Sequence, residues 1–152
     1  MYIKVLLADD SDCMRPAIAR VLKEEPLIEL VGEASSFSET LQLAAALKPD
    51  VLLLDLHMSD EREYPPASVK SQILLYIKCV IAISLCNDDD ATALAESFGA
   101  HVLLDKMKLY SQLIPAIKQF CPSVIIPKTA NSFRNDSKWP ASPSIEERLE
   151  AA

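Results

Sequence analysis

Short apolar runs alternate with segments of helical periodicity along the first 120 residues of the chain. Runs this short suit strands better than helices, and a fully aliphatic one is typical of a parallel strand covered on both faces. One run alternates apolar and polar residues instead, which predicts a half-exposed edge strand. The runs cover residues 3 to 8, 28 to 34 (the alternating run), 51 to 54, 79 to 84 and 101 to 105.

Apolar residues at helical spacing occupy the intervals between these runs. Ser11 or Asp12 is placed to cap the first helix, and Gly99 is placed to end the fourth. Five strands alternating with five helices predict an α/β fold, a doubly wound five-stranded parallel sheet with right-handed crossovers. The predicted helices cover residues 14 to 22, 36 to 47, 67 to 77, 88 to 98 and 110 to 120.

Chemically active side chains stand at the ends of four of the predicted strands. The carboxyl ends of parallel strands meet at one edge of the sheet, where ligands bind in such folds. We therefore expect five polar groups to converge on that edge. They are Asp9 and Asp10 after the first strand, Asp55 at the end of the third, Ser84 at the end of the fourth and Lys106 after the fifth.

Three carboxylates held close together repel one another unless a cation neutralises them. Mg²⁺ prefers oxygen ligands, so the cluster predicts a magnesium site. The lysine and the hydroxyl then remain as donors suited to the charged oxygens of a phosphoryl group. Asp55 occupies the central strand of the set, so we expect it to be the carboxylate that attacks phosphorus.

The negative net charge of the chain makes nucleic acid an unfavourable partner. Residues 1 to 127 hold 18 acidic and 11 basic side chains, and residues 128 to 152 hold four of each, so the first part carries the whole net charge of −7. An acidic domain repels phosphate backbones, and we expect no direct binding of nucleic acid.

The four cysteines form no CxxC pair and lack histidines at zinc-ligand spacing. We interpret them as buried, small hydrophobic residues of a cytosolic protein. The first residues enter a strand-like run without the features of a signal peptide, and no apolar stretch reaches the length of a membrane span. A cytoplasmic location without membrane attachment is the expectation.

The strand and helix pattern ends near residue 121. We expect one domain over residues 1–121 and a flexible tail over 122–152 that contains prolines and serines, with a short helix near 145 to 151. The tail is too short for a packed output domain.

The residues at the strand ends carry a resemblance to a known family. An acidic pair after strand one, Asp55 after strand three, Ser84 after strand four and Lys106 after strand five match the pattern of receiver domains in two-component response regulators. The separations of 45, 29 and 22 residues, counted from Asp10, also fit. The chain resembles the single-domain, chemotaxis-regulator-like members over about residues 2 to 121.

The resemblance implies the flavodoxin-like strand order 2-1-3-4-5 and transfer of a phosphoryl group to Asp55. The donor would be a histidine kinase or a phosphotransfer protein, and a downstream protein would bind the phosphorylated form. The resemblance also implies that Asp10, Asp55 and the carbonyl of His57 hold Mg²⁺, with Asp9 acting through water. Such a domain is not an enzyme, because it assists only its own phosphorylation and dephosphorylation.

Four positions depart from the family pattern. Ser59 and Met107 stand where the family usually has proline, and bulky Leu85 stands where it prefers a small residue. Leu103 replaces the aromatic residue that links the phosphorylated site to the output face. This last departure affects signal transmission and leaves the chemistry at Asp55 intact.

Two other functions use the same residues. One is a phosphorylation-independent pseudo-receiver, in which Asp10, Asp55 and Lys106 form a structural ion network and the chain only binds partners. The other is an aspartyl-phosphate phosphohydrolase, which usually carries a second acid two residues after its nucleophile. His57 occupies that position, so this alternative ranks last.

Overall fold

The structure, a computed structural model, describes residues 2–122. Five parallel strands form one sheet in the order β2-β1-β3-β4-β5, which confirms the predicted fold class and strand order. The strands are β1 (Ile3–Ala8), β2 (Ile28–Ala34), β3 (Val51–Asp55), β4 (Cys79–Ser84) and β5 (Val102–Asp105). The helices are α1 (Met14–Lys23), α2 (Phe37–Leu47), α3 (Pro66–Ile73), α4 (Asp89–Ser97) and α5 (Leu109–Phe120).

Successive side chains along each strand point to opposite faces of the sheet and pack into two separate apolar cores. On one face, Leu7, Leu53 and Ile81 pack with residues of α1 and α5. On the other face, neighbouring strand residues pack with α2, α3 and α4, and the rings of Phe37 and Phe98 stack 5.3 Å apart. Both faces of the sheet are therefore covered, which is why β3 and β4 are apolar along most of their length.

Local signals place most helix ends where the sequence predicts them. Ser11 Oγ accepts a hydrogen bond from the backbone N–H of Met14, the first residue of α1, at 3.0 Å. Gly99 follows α4 with a φ of 83°, a conformation that side chains bearing a Cβ rarely adopt.

The predicted end of the third helix was wrong. Helix α3 ends at Ile73, not at residue 77, and turns lead from there to β4. Leu74, the first residue after the helix, is 44% exposed, whereas Ile77, in the segment that leads to β4, is buried. Periodicity alone cannot distinguish a continuing helix from turns that bury a residue four positions further on, as Ile77 is buried after Ile73.

The interpretation of the cysteines as buried, small hydrophobic residues is confirmed for the burial of Cys79 and Cys121 and is wrong for Cys13 and Cys86; it also missed a disulfide. Cys79 and Cys121 form a disulfide with a Cα–Cα distance of 5.8 Å, and the free thiols of Cys13 and Cys86 are exposed. β4 begins at the amino-terminal edge of the sheet, and α5 returns to the same edge. The two cysteines therefore meet across 42 residues of sequence.

Within residues 2–122, no helix combines the length and the apolar character needed to cross a bilayer. The predicted tail helix lies outside the described residues, and the proposed domain boundary at residue 121 stays a prediction.

Candidate functional site

Three carboxylates meet where β1 and β3 end side by side. β1 pairs with β3 up to Ala8 and Leu54, so Asp9 emerges next to Asp55. Asp9 is fully buried and Asp55 is 6% exposed. Asp9, Asp10 and Asp55 each offer an oxygen within 4.8 Å of the others. The cluster lies at the topological switch point, because the chain leaves β1 toward β2 on one side and returns to β3 on the other.

Lys106 brings a positive charge to this cluster from the far edge of the sheet. It is the first residue of a short 3-10 helix over Lys106–Lys108, whose start is fixed by Asp105 Oδ1 accepting from Met107 N at 2.9 Å. Lys106 Nζ lies 2.9 Å from Asp9 Oδ2 and 3.2 Å from Asp55 Oδ2, and the lysine side chain is 7% exposed. Three carboxylates and one ammonium leave two negative charges.

The two oxygens of the Asp9 carboxylate have different partners. Asp9 Oδ1 accepts a hydrogen bond from the backbone N–H of Ser11 at 2.9 Å. Within residues 2–122, buried Asp9 Oδ2 has no partner that meets hydrogen-bond criteria, and Lys106 Nζ forms an ion pair with it at 2.9 Å.

Burial changes the acidity of the central carboxyl group. Desolvation, together with the nearby charge of Asp9, raises the pKa of Asp55 from 3.8 to about 6 against the opposing effect of the Lys106 ammonium. Desolvation would lower the pKa of Lys106, but its contacts with Asp9 and Asp55 outweigh this effect, and the net shift of the pKa is upward. At neutral pH Asp55 is therefore a carboxylate and Lys106 an ammonium.

Ser84 ends β4 next to this cluster. Asp55 pairs with Ile83 in the sheet, so Ser84 lies one residue further along the neighbouring strand, where it is 8% exposed. Ser84 Oγ accepts a hydrogen bond from the backbone N–H of Cys86 at 3.0 Å. An accepting hydroxyl keeps its own proton available for another oxygen.

The ring of His57 points away from the cluster. Its side chain is 70% exposed, and Nδ1 lies 3.0 Å from Glu61 Oε1. The backbone N–H of His57 donates to Asp55 Oδ1 at 3.4 Å, which holds the backbone of residue 57 beside the carboxylate. Leu85, next to Ser84 in the chain, is 61% exposed. Leu103 is half-buried against the core formed with α4.

Two residues that support the site were missed by the sequence analysis. Asp60 accepts hydrogen bonds from the backbone N–H groups of Phe37 and Ser38, at 2.9 Å and 3.0 Å, and so ties the loop after β3 to the start of α2. Arg15 donates to the backbone carbonyl of Asp9 at 2.8 Å. Asp60 and Arg15 each bind backbone groups in another part of the fold. Residue types and spacing in the sequence give no sign of such contacts.

The donor set fits Mg²⁺. All candidate side-chain ligands are carboxylate oxygens that lie within 4.8 Å of one another, and oxygen is the ligand atom that Mg²⁺ prefers. The two uncompensated negative charges of the cluster also suit a dication, as does buried Asp9 Oδ2, which lacks a hydrogen-bond partner among the described residues.

Comparison with known proteins points to one family. The chain is 34% identical to the transcriptional regulatory protein LiaR of Bacillus subtilis over 116 residues, which are 76% of this chain and 54% of LiaR. It is 36% identical over 105 residues to a protein-glutamate methylesterase/protein-glutamine glutaminase of Anaeromyxobacter dehalogenans, covering 68% of this chain and 30% of that protein. The chain thus spans about half or less of these two relatives.

Solved structures give the same result for the fold. The signal receiver domain of the response regulator NarL from Mycobacterium tuberculosis superposes with a TM-score of 0.65 at 27% identity, covering 76% of this chain and 93% of that domain. No protein-family model matches the chain. With its sheet order and the acidic cluster at the switch point, the chain belongs to the receiver domains of two-component response regulators.

Proposed function

We propose that the chain is a phosphoacceptor: it takes a phosphoryl group onto Asp55 from a phosphohistidine donor and signals by binding another protein. The observation that carries this proposal is the placement of Asp55 beside both Lys106 and the acidic pair. Asp55 is the only one of the three carboxylates that lies at the end of the central strand, β3. Its partners would be a histidine kinase or phosphotransfer protein and a downstream target, in the cytoplasm.

The transfer breaks one bond to phosphorus and forms another. A carboxylate oxygen of Asp55 attacks phosphorus, the bond from phosphorus to the donor imidazole nitrogen breaks, and the imidazole leaves with the electron pair. The Lys106 ammonium and the Ser84 hydroxyl donate to the phosphoryl oxygens, which carry the charge in such transfers. Because Ser84 Oγ accepts from Cys86 N, its own proton remains available for a phosphoryl oxygen.

Asp9, Asp10, Asp55 and the backbone carbonyl of His57 are the proposed ligands of Mg²⁺, with Asp9 acting through water. A Mg²⁺ ion held by these groups would supply positive charge that offsets the negative charge of the phosphoryl oxygens. Asp9 would then have two tasks, because it also holds Lys106 at 2.9 Å beside Asp55.

The experiment is a mass measurement after incubation with Mg²⁺ and acetyl phosphate, repeated with a phosphorylated histidine phosphotransfer protein. Both donors are needed because exposed Leu85 stands beside Ser84 and could affect a small donor differently from a protein. We expect one phosphoryl group on the parent and none on Asp55→Asn. Equal labelling of the two proteins would show that another residue is the nucleophile.

A phosphorylation-independent binding module is the second candidate, and Lys106 is the observation that favours it. Its ammonium already bridges Asp9 and Asp55, so the cluster has a partly neutralised form that needs no cation. In this case the parent would take up no phosphoryl group from either donor, whereas a competent receiver of the same family would be labelled in parallel.

A further inference from the structure

Arg15 lies outside the acidic cluster but contacts the backbone that carries it. It is the second residue of α1, and its side chain is 19% exposed. Its guanidinium reaches three places: the Asp9 carbonyl at 2.8 Å from Nη1, Asp12 Oδ1 at 3.2 Å from Nη2, and Glu33 Oε1 at 3.6 Å from Nε. These contacts join the end of β1, the loop after it and the end of β2.

The contact with the Asp9 carbonyl fixes the peptide group that precedes Asp10. That carbonyl belongs to the same planar unit as the N–H of Asp10, so holding its oxygen sets the direction in which the next residue leaves the strand. On the other side, the backbone N–H of Asp9 donates to Ala34 O at 3.0 Å. The Asp9 backbone is therefore anchored to α1 through one group and to β2 through the other.

We propose that Arg15 is a positioning residue of the cation site, acting through the Asp9 carbonyl to aim the carboxylates of Asp9 and Asp10 at a divalent cation. This inference rests on the proposed function of the cluster. Without the guanidinium, the turn between β1 and α1 keeps its hydrogen bonds to Ser11 but loses the one that orients the peptide between the two ligands. Supporting groups of this kind affect metal affinity about tenfold or more when removed.

The positive charge of Arg15 and its positioning role have opposite effects on the affinity for a cation, so the two can be told apart by experiment. A guanidinium near the site repels a cation, so an arginine acting by charge alone would weaken binding, and its removal would tighten it. An arginine that positions the ligands strengthens binding, and its removal weakens it. Arg15→Gln removes both the charge and the planar guanidinium with its N–H donors, whereas Arg15→Lys keeps the charge and loses the planar guanidinium.

The test is a titration of the metal-free protein with Mn²⁺, followed by electron paramagnetic resonance of the free ion, with Mg²⁺ as competitor. We expect Arg15→Gln and Arg15→Lys each to raise the Mn²⁺ dissociation constant about tenfold. The matched control is Arg20→Gln, an exposed arginine of the same helix, which should leave the constant unchanged or slightly lower. Thermal melts without metal report whether each variant is folded.

Each outcome decides the proposal. An unchanged or lower dissociation constant in both Arg15 variants would overturn the positioning role while leaving the proposed function intact. If Arg15→Gln does not fold, Arg15→Lys decides alone, and loss of folding in both would make the residue structural and overturn the inference. A parent that bound no Mn²⁺ would overturn the proposed cation site together with the role of Arg15.

Discussion

The ammonium of Lys106 lies 3.2 Å from Oδ2 of Asp55, although the two residues are 51 positions apart and come from strands separated by β4. The lysine side chain crosses the end of β4 to reach the centre of the site. Its charge offsets part of the cost of burying Asp55, yet the pKa of Asp55 still rises to about 6, so the ionised carboxyl group remains destabilising in the folded protein without metal.

The raised pKa predicts a pH-dependent gain in stability for Asp55→Asn. The folded pKa of about 6 lies above the ordinary value of 3.8 in the unfolded chain, so the folded state binds the extra proton and the parent loses stability as pH rises between these values. The neutral amide has no such loss. We expect the variant to be more stable by at most about 3 kcal/mol above pH 6, and by little near pH 4.

Urea unfolding without metal at pH 4, 5, 6 and 7.5 measures this difference. Asp90→Asn, at an exposed position in the first turn of α4, is the control for loss of an acidic charge. A stability gap between Asp55→Asn and the parent that stays constant across the pH range would contradict the assigned shift.

Asp10→Ala should remove most of the stabilisation of the protein by Mg²⁺. A ligand that binds only the folded state adds roughly 2.7 kcal/mol at a hundredfold excess over its dissociation constant. Thermal melts with and without Mg²⁺ measure this response for the parent, for Asp10→Ala and for Asp90→Ala, which removes an exposed acid at the same edge of the sheet. The same increase in melting temperature in all three proteins would place the cation elsewhere.

The disulfide between Cys79 and Cys121 should contribute strongly to stability. It closes a loop of 42 residues, for which loss of chain entropy in the unfolded state corresponds to about 4 kcal/mol. We expect Cys121→Ser, or treatment with a dithiol reductant, to lower the free energy of unfolding by up to that amount in urea titrations. The double variant Cys13→Ser and Cys86→Ser, which changes only exposed free thiols, should unfold like the parent. Equal stability of the parent with and without reductant would disprove the contribution.

Leu103→Tyr should strengthen the response of the β5 face to phosphorylation. Leu103 has no polar tip that could favour an exposed over a buried state, and it borders a groove of about 380 Å³ that residues of α5 also line. Amide chemical shifts of both proteins, recorded with and without a beryllofluoride mimic of the phosphoryl group, should differ more in the variant over residues 85 to 110. Large and equal changes in both would show that position 103 does not limit the switch.

The sequence by itself determined where the strands lie and that helices cover both faces of the sheet. Continuous aliphatic runs such as residues 51 to 54 suit a strand covered on both faces, and the acids, the serine and the lysine follow those strands directly. In a parallel sheet all carboxyl ends share one edge, so the meeting of Asp9, Asp10 and Asp55 follows from the strand pattern and the topology.

Only the tertiary structure decided which distant groups touch. Three such contacts join positions that the periodicity of the sequence does not relate. They are the disulfide, the hydrogen bond from the start of α2 to Asp60, and the hydrogen bond from Arg15 to the Asp9 carbonyl. The early end of α3 was decided in the same way, because the chain must leave the helix to enter β4. Periodicity reports which face of an element is buried, and it carries no information about the partner on the other side of the contact.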